Sequence, residues 1–361
     1  MTNLSRAVGR LLDWPLVGAG LGLVLISSLA MSSAASTVDP TLTFRHTIWI
    51  LLGLATSLLL AHTSTYRWSQ AALVVYGVSL ILLVLVPLVG TMRLGATRWL
   101  SLFGLSLQPV ELAKLATIWL LSHYLAGQPQ PLRLRPFVIS LGLASAPAGL
   151  VFLQPDLGSA TVFGAIWWGL VWVAGAPRKF MSWLAGLGLA LLPLGWHLLK
   201  DYQRDRLLVF VNPHVDPLGA GYTVIQSTIA IGSGQLWGRG WFAGTQNQLN
   251  FLPERHSDFL FSVIGEEWGF FGCLVVLATF AVLLLRMARI ALDTAEPQGR
   301  LFAIGIVVWI AYQAFVNMGM VMGLLPVVGV PLPFLSYGGS SMVLLWSALG
   351  LLQSIRRSTV L

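Results

Sequence analysis

Long apolar, uncharged runs recur along the whole chain, set apart by short polar or Pro/Gly-rich breaks. Runs near 20 residues suit helices that cross a bilayer, because a helix satisfies its own backbone hydrogen bonds in lipid. Ten spans can be drawn, at 14–31, 44–61, 71–89, 109–126, 136–153, 158–174, 180–199, 259–285, 301–323 and 337–354. No charge occurs from Leu301 to Ile355, too long a stretch for one crossing; Pro326, Pro331, Pro333 and the Gly338-Gly339 pair divide it in two. The alternating ten-residue segments of a β-barrel are not visible. Arg6 and Arg10 precede the first run and Ser32, Ser33, Ala34 and Ala35 follow it, as around a signal-peptide cleavage site. The run is long for a signal core and is read as a retained first span.

The basic residues orient the spans. With the N-terminus in the cytoplasm, the inner loops hold Arg6, Arg10, Arg67, Arg133, Arg135, Arg178, Lys179, Arg286, Arg289, Arg300, Arg356 and Arg357. The short outer loops then hold only Arg45, Arg93 and Arg98. This bias places both termini inside. The expected fold is an all-α membrane protein, a single domain over 1–361, with about ten transmembrane helices and a large extracytoplasmic loop at about 200–258 between spans seven and eight. That loop has a charged start (Lys200, Asp201, Arg204, Asp205, Arg206), a Pro/Gly-rich turn at 212–222 and an apolar piece at 224–231. The apolar piece is short for a crossing and predicts an interfacial or re-entrant helix. No internal repeat supports the inverted-repeat architecture of many transporters.

Composition sharpens this picture. Charged residues make up 9% and hydrophobic ones 56%, where a soluble chain carries roughly a quarter charged. The net charge of +8 comes from single and paired residues between apolar runs, not from one basic patch, which argues against nucleic acid. The lone Cys273 excludes an intrachain disulfide and reads as a small hydrophobe.

Three polar clusters sit where lipid should exclude charge. In the first, Arg98 precedes Gln108-Pro109, then Glu111 and Lys114. Pro109 suits the first helical position, which puts Glu111 and Lys114 three apart on one face. They are either a buried ion pair that fixes packing or the polar floor of a cavity for a charged substrate. In the second, Asp156 is placed to cap the helix that starts near Gly158. The third runs Glu254-Arg255-His256-Ser257-Asp258 and continues to Glu266-Glu267. Ser257 or Asp258 could cap the following helix. Alternatively, desolvation raises the Asp258 pKa while Arg255 lowers it, as suits a general base near neutral pH. The scattered histidines His62, His123, His197 and His214 lack metal-ligand spacing.

Five blocks then carry a resemblance: 95–114 (GATRWLSLFGLSLQPVELAK), 154–159 (QPDLGS), 212–240 (NPHVDPLGAGYTVIQSTIAIGSGQLWGRG), 252–269 (LPERHSDFLFSVIGEEWG) and 323–341 (GLLPVVGVPLPFLSYGGSS). Together they closely resemble the RodA/FtsW family, also called SEDS (shape, elongation, division and sporulation). The Arg255-His256 pair and the lack of long tails are closer to its elongation branch than to its division branch. The resemblance implies a ten-span fold and peptidoglycan glycosyltransferase activity, polymerising lipid II outside the bacterial cytoplasmic membrane. It implies a class B penicillin-binding protein as transpeptidase partner, beside other elongation-complex membrane proteins. The family's essential outer-loop aspartate carries over to Asp258, its cavity carboxylate and lysine to Glu111 and Lys114, and its loop arginine to Arg98. Val110 departs from the usual serine.

The expected chemistry follows. Asp258 would take the proton from the acceptor sugar hydroxyl as that oxygen displaces a lipid diphosphate. Arg98 and Lys114, with Arg239 and Arg255, would stabilise the leaving group, with Gln108 on the substrate side and Asp156, Glu266 and Ser336 in support. A divalent cation, Mg or Mn, could share the work, although no ligand cluster shows one. Small residues at Gly142, Ala144, Ala146, Ala148 and Gly149 either open a sideways groove for a lipid tail or let helices pack closely. A flippase for the lipid-linked precursor, and a scaffold that only recruits a transpeptidase, are the competing readings.

Overall fold

The computed structural model describes residues 12–37, 39, 41–93, 96–102, 105–199, 201–219 and 221–360; Arg6, Arg10 and Lys200 lie outside them. The long helices are α1 (Trp14–Ala35), α2 (Thr41–Ala61), α3 (Thr65–Val89), α4 (Pro109–Ala126), α5 (Leu134–Leu153), α6 (Leu157–Val173) and α7 (Arg178–Leu198). After a segment containing α8 (Asp201–Val211), α9 (Tyr222–Gly234) and the one-turn α10 (Thr245–Gln248) come α11 (Leu260–Asp293), α12 (Pro297–Val321) and α13 (Gly339–Val360). Each of the ten predicted segments falls on one of the long helices. Among the described residues, α1, α2, α3, α5, α11 and α12 are long and apolar enough to cross a membrane by length and composition.

Helix starts follow local chemistry. Asp13 caps α1 by accepting from Leu16 N at 3.0 Å, Asp156 caps α6 by accepting from Ser159 N at 3.1 Å, and Pro109 opens α4. The apolar stretch of α12 is 67% buried, against 28% in α3 and α11, so α12 is the central post. It packs against α4, α6 and α11 and contributes Trp309, Ile306 and Phe302 to the core. Leu59, Leu73, Leu153, Trp183 and Leu285 are exposed instead, an apolar exterior suited to lipid. A Cβ added at Gly142 or Gly149 would meet nothing within 4 Å, so these two glycines serve no close helix contact.

The connections sort into two faces. On one, Arg286 and Arg356 pair with Asp13, Ser354 Oγ donates to Thr63 O, Leu132 N to Gly175 O, and His123 meets Gln298. On the other, Arg98 donates to Pro155 O, Thr37 to Asn250, Tyr337 N to His256 O and Gln108 N to Ser340 Oγ. The predicted inner and outer loops fall on separate faces.

Two features go beyond the sequence reading. Between α3 and α4 the chain forms a three-stranded antiparallel sheet, β1 (Thr91–Arg93), β2 (Ala96–Leu102) and β3 (Leu105–Leu107), in that order. Helix α11 is broken at Gly269, where φ is 65°. The turn after α9 fills the break: Arg239 N and Gly240 N donate to Glu266 O and Glu267 O, while Phe270 N and Phe271 N donate to Gln235 O and Leu236 O. The backbone groups released by the interruption are therefore satisfied by the outer segment. The apolar piece at 224–231 is indeed a helix, α9, bound to α11 and α12 by Ser227, whose Oγ donates to Val321 O at 2.6 Å and contacts Ser262 Oγ at 2.8 Å.

Candidate active site

Asp258 sits on a tight turn at the entry to α11. Glu254 adopts a positive φ of 49°, and its carbonyl accepts from Ser257 N at 3.0 Å and Asp258 N at 3.1 Å. Ser257 Oγ donates to the Glu254 carboxylate at 3.1 Å. The N-cap residue is Phe259, and no side chain caps the helix. Neither capping role foreseen for Ser257 or Asp258 is taken up, so the Asp258 carboxylate has no local structural duty.

The loop between α12 and α13 forms the facing wall. A Cβ built on Gly329, whose φ is +69°, would lie 3.5 Å from Asp258 Oδ2. The start of α6 closes against the same loop, since a Cβ on Gly158 would collide with Val328 O. Arg98, on β2, donates to Pro155 O and lies 4.0 Å from the Asp156 carboxylate. Arg206, on α8, donates to Val327 O at 3.3 Å. Ser336 Oγ accepts from Leu332 N at 2.8 Å and fixes the turn that ends the loop.

Burial pushes the Asp258 carboxyl up to about 6; Glu254 adds to this, Arg206 opposes it, Asp156 adds a little and Arg98 opposes. The residue keeps partial exposure. It is a carboxylate at neutral pH, yet basic enough to accept a proton. Burial lowers the neighbouring His256, with Glu254 pulling the other way and Arg255 adding to the lowering.

Arg255 does not face this recess. It is buried, donating to Ala34 O at 2.8 Å, to Asn250 Oδ1 at 2.6 Å, and to Asn247 O and Thr37 Oγ1. Its guanidinium clamps the outer segment onto the end of α1, which corrects its expected contact with the leaving group. Arg239 is likewise turned away, to Ser233 O and Thr245 Oγ1. The cations whose charge reaches Asp258 most strongly are Arg206 and Arg98. Arg206 had been noted only as part of a charged stretch.

Glu266 accepts from Gln246 N at 2.8 Å, Asn247 N at 3.2 Å and Thr245 Oγ1 at 3.2 Å. Glu267 accepts from Ser33 Oγ at 2.6 Å, Asn247 Nδ2 at 2.9 Å and Phe242 N at 3.3 Å. Both acids pin the outer segment. Glu111 and Lys114 pair at 2.7 Å with almost no exposure, and Lys114 lies 5.4 Å from the Trp309 ring centroid. The pair is enclosed between α4 and Trp309 of α12, and Glu111 Oε2 is buried without a hydrogen-bond partner, so packing and a polar cavity floor both fit it. Gln108 is half-buried, tied through its main chain to Ser340.

Asn317 was missed. It donates through Nδ2 to Asp258 O at 2.9 Å and to Val330 O at 2.8 Å. An amide within an apolar span, a feature it shares with Gln313, was the available signal.

Among the described residues no three His, Cys, Asp or Glu side chains converge as a metal site. Asp156 and Glu254 each accept one hydrogen bond, from Ser159 and Ser257, and the chemistry below is derived from the side chains. A cavity of about 440 Å³ lies beside α8 and α9, lined by Arg206, Phe210, Val224, Ile229, Met322 and Leu325 among others.

The model of the FtsW, RodA and SpoVE family, described as cell cycle protein, matches residues 11–360. The chain belongs to this family. It is 39% identical over 336 residues to peptidoglycan glycosyltransferase MrdB of Escherichia coli K12, covering 93% of this chain and 90% of that one. It is 38% identical over 320 residues to a probable peptidoglycan glycosyltransferase FtsW of Geobacter metallireducens, covering 86% and 84%. Among solved structures, rod shape determining protein RodA of Thermus thermophilus aligns with a TM-score of 0.74 and 32% identity over 97% of this chain and 98% of that one. A chain from a peptidoglycan synthase complex described as coordinating polymerization and crosslinking aligns with a TM-score of 0.84 and 38% identity over 96% and 98%. With its apolar helices, the family member is a multi-pass membrane protein.

Proposed function

We propose that this chain is a peptidoglycan glycosyltransferase that polymerises lipid II on the outer face of the cytoplasmic membrane, with Asp258 as general base. Ten crossings are supported by the sorting of loops onto separate faces, and both termini inside by the excess of basic residues in the loops of one face. The observation that carries the chemistry is the uncommitted Asp258 carboxylate, relieved of capping duty and placed against the Gly329 main chain with two arginines in its electrostatic reach.

The carboxylate takes the proton of the acceptor sugar's 4-hydroxyl as that oxygen bonds to the donor's anomeric carbon. The bond from this carbon to the lipid diphosphate breaks, and inversion follows from a single displacement. Negative charge grows on the diphosphate, and Arg98 and Arg206 are the cations placed to stabilise it. Diphosphate leaves without strong acid assistance, so a second carboxylic acid of the glycosidase kind is not required. The apolar cavity next to Arg206 suits part of the donor's prenyl chain.

A class B penicillin-binding protein is the proposed partner, supported by the structural similarity to the synthase complex. The Arg255-His256 pair supports the elongation branch, tested by whether the gene restores rod shape to cells depleted of their elongation polymerase. The direct assay uses purified chain with lipid II in detergent, where no second compartment exists for a flippase to serve. Glycan chains should form, and Asp258→Asn should reduce their rate at least 100-fold, about the share general base catalysis supplies. Wild-type rates from the variant would remove Asp258 from the chemistry.

A further inference from the structure

Asn317 is fully enclosed in α12, the central helix, one turn before its outer end. Its two amide protons leave the helix altogether, one to Asp258 O at 2.9 Å and one to Val330 O at 2.8 Å. These acceptors belong to the two walls of the recess. One is the main chain of the acid itself; the other directly follows Gly329, which abuts the acid's Oδ2. Without this amide, two carbonyls beside α12 would lose a buried donor, and each loop would have to shift toward water to recover one.

We propose that Asn317 is a positioning residue for the reaction: one NH₂ group staples the acid's loop to the facing loop and thereby fixes where the Asp258 carboxylate stands. This rests on Asp258 being the base. The staple ties both walls to the most buried of the six apolar helices, as an aligned catalytic group requires. The strained φ angles at Glu254 and Phe334 occur in the same two loops, where backbone held off its preferred conformation needs such restraint.

The test uses the full-length chain co-purified with its transpeptidase and supplied with lipid II. Asn317→Leu, which keeps the volume and removes both donors, should lower kcat by roughly 10- to 100-fold while leaving KM nearly unchanged. The midpoint of the acid limb of its pH profile should move below about 6, because a released loop lets water reach the carboxylate. Hydrogen exchange should quicken at 254–259 and 328–332 and stay slow through α12. Asn317→Asp, which exchanges the NH₂ for oxygen in the same shape, should give the same signature and guards against poor folding of the leucine variant. Wild-type kcat, midpoint and exchange in either folded variant would overturn the proposal. So would uniform loss of exchange protection across the bundle in both, which would assign Asn317 to general packing. The exchange readout is independent of turnover, so an active Asp258→Asn would defeat the base assignment and leave the staple itself measurable.

Discussion

At the scale of single residues, the raised pKa on which the proposed role of Asp258 rests also costs stability. Its carboxyl titrates near 6 in the folded chain, against about 3.9 in an unfolded one. Between those values the native state holds a proton that the unfolded state has released. Stability therefore falls as pH rises through about 4 to 6 and is level above it. The polymerase rate should climb through the same upper limb as the base form fills. Asp258→Asn removes the ionisation, so it should melt at a higher temperature than the parent at pH 8 and at a similar one at pH 4. Allowing for partial exposure, the gain is roughly 1–2 kcal/mol. Thermal scans in detergent at the two pH values check this; a variant less stable than the parent at pH 8 would contradict the raised pKa. Asp258 stood out in the sequence as a carboxylate beside an apolar run, with capping and base roles both open until the family resemblance pointed to the base. The orientations of its neighbours were not legible there. Arg255 is three residues away in sequence yet points into the α1 junction, whereas Arg206 arrives from α8, across the loop. Sequence proximity ranks cations by distance along the chain, but the field at a carboxylate depends on distance in space.

At the scale of elements, the ten long helices were legible because lipid penalises charge strongly enough to print their limits on the chain. The interruption of α11 was not, since its repair is supplied by residues some thirty positions upstream. Gly269 allows that repair twice over. Its φ of 65° is one that side chains rarely adopt, and a Cβ there would lie 2.3 Å from Gly238 N. The piece of α11 above the break carries Glu266 and Glu267, which hold the outer segment, and it begins next to Asp258. Gly269→Ala must therefore either unplug the turn at 235–240 or straighten the helix, stripping partners from four backbone groups. The expected result is a loss of more than about 2 kcal/mol, read as a Tm several degrees lower, with reduced polymerisation. Gly142→Ala, in open space on α5, is the matched control and should leave the Tm unchanged. Equal melting of the two variants would mean that the break is not held by the outer segment.

At the scale of the whole molecule, orientation decides whether the recess can work at all, because a lipid-linked sugar donor must meet the base on the side where the wall is built. The sorting of loops defines two faces, and the bias in basic residues says which of them is cytoplasmic. The bias is a property of charge in short loops; the sorting comes from hydrogen bonds that join Asp13 to Arg286 and Gln353 on one face and Thr37 to Asn250 on the other. That inner clamp was invisible in the sequence, where Asp13 and Gln353 stand 340 positions apart. Both arguments require the two ends of α11 to lie on opposite sides of the membrane. Leu218, 88% exposed in the outer segment, and Asp293, exposed at the far end of α11, report the two sides. In a Cys273→Ser background, an impermeant thiol reagent should label Leu218→Cys in intact spheroplasts and leave Asp293→Cys unreacted until the membrane is opened. The reverse pattern would put Asp258 in the cytoplasm, and labelling of both in intact spheroplasts would mean that α11 does not cross. The first outcome would separate the acid from an outer-face polymerisation, however well its pKa and its neighbours suit the chemistry; the second would keep the acid outside and overturn the ten-span topology.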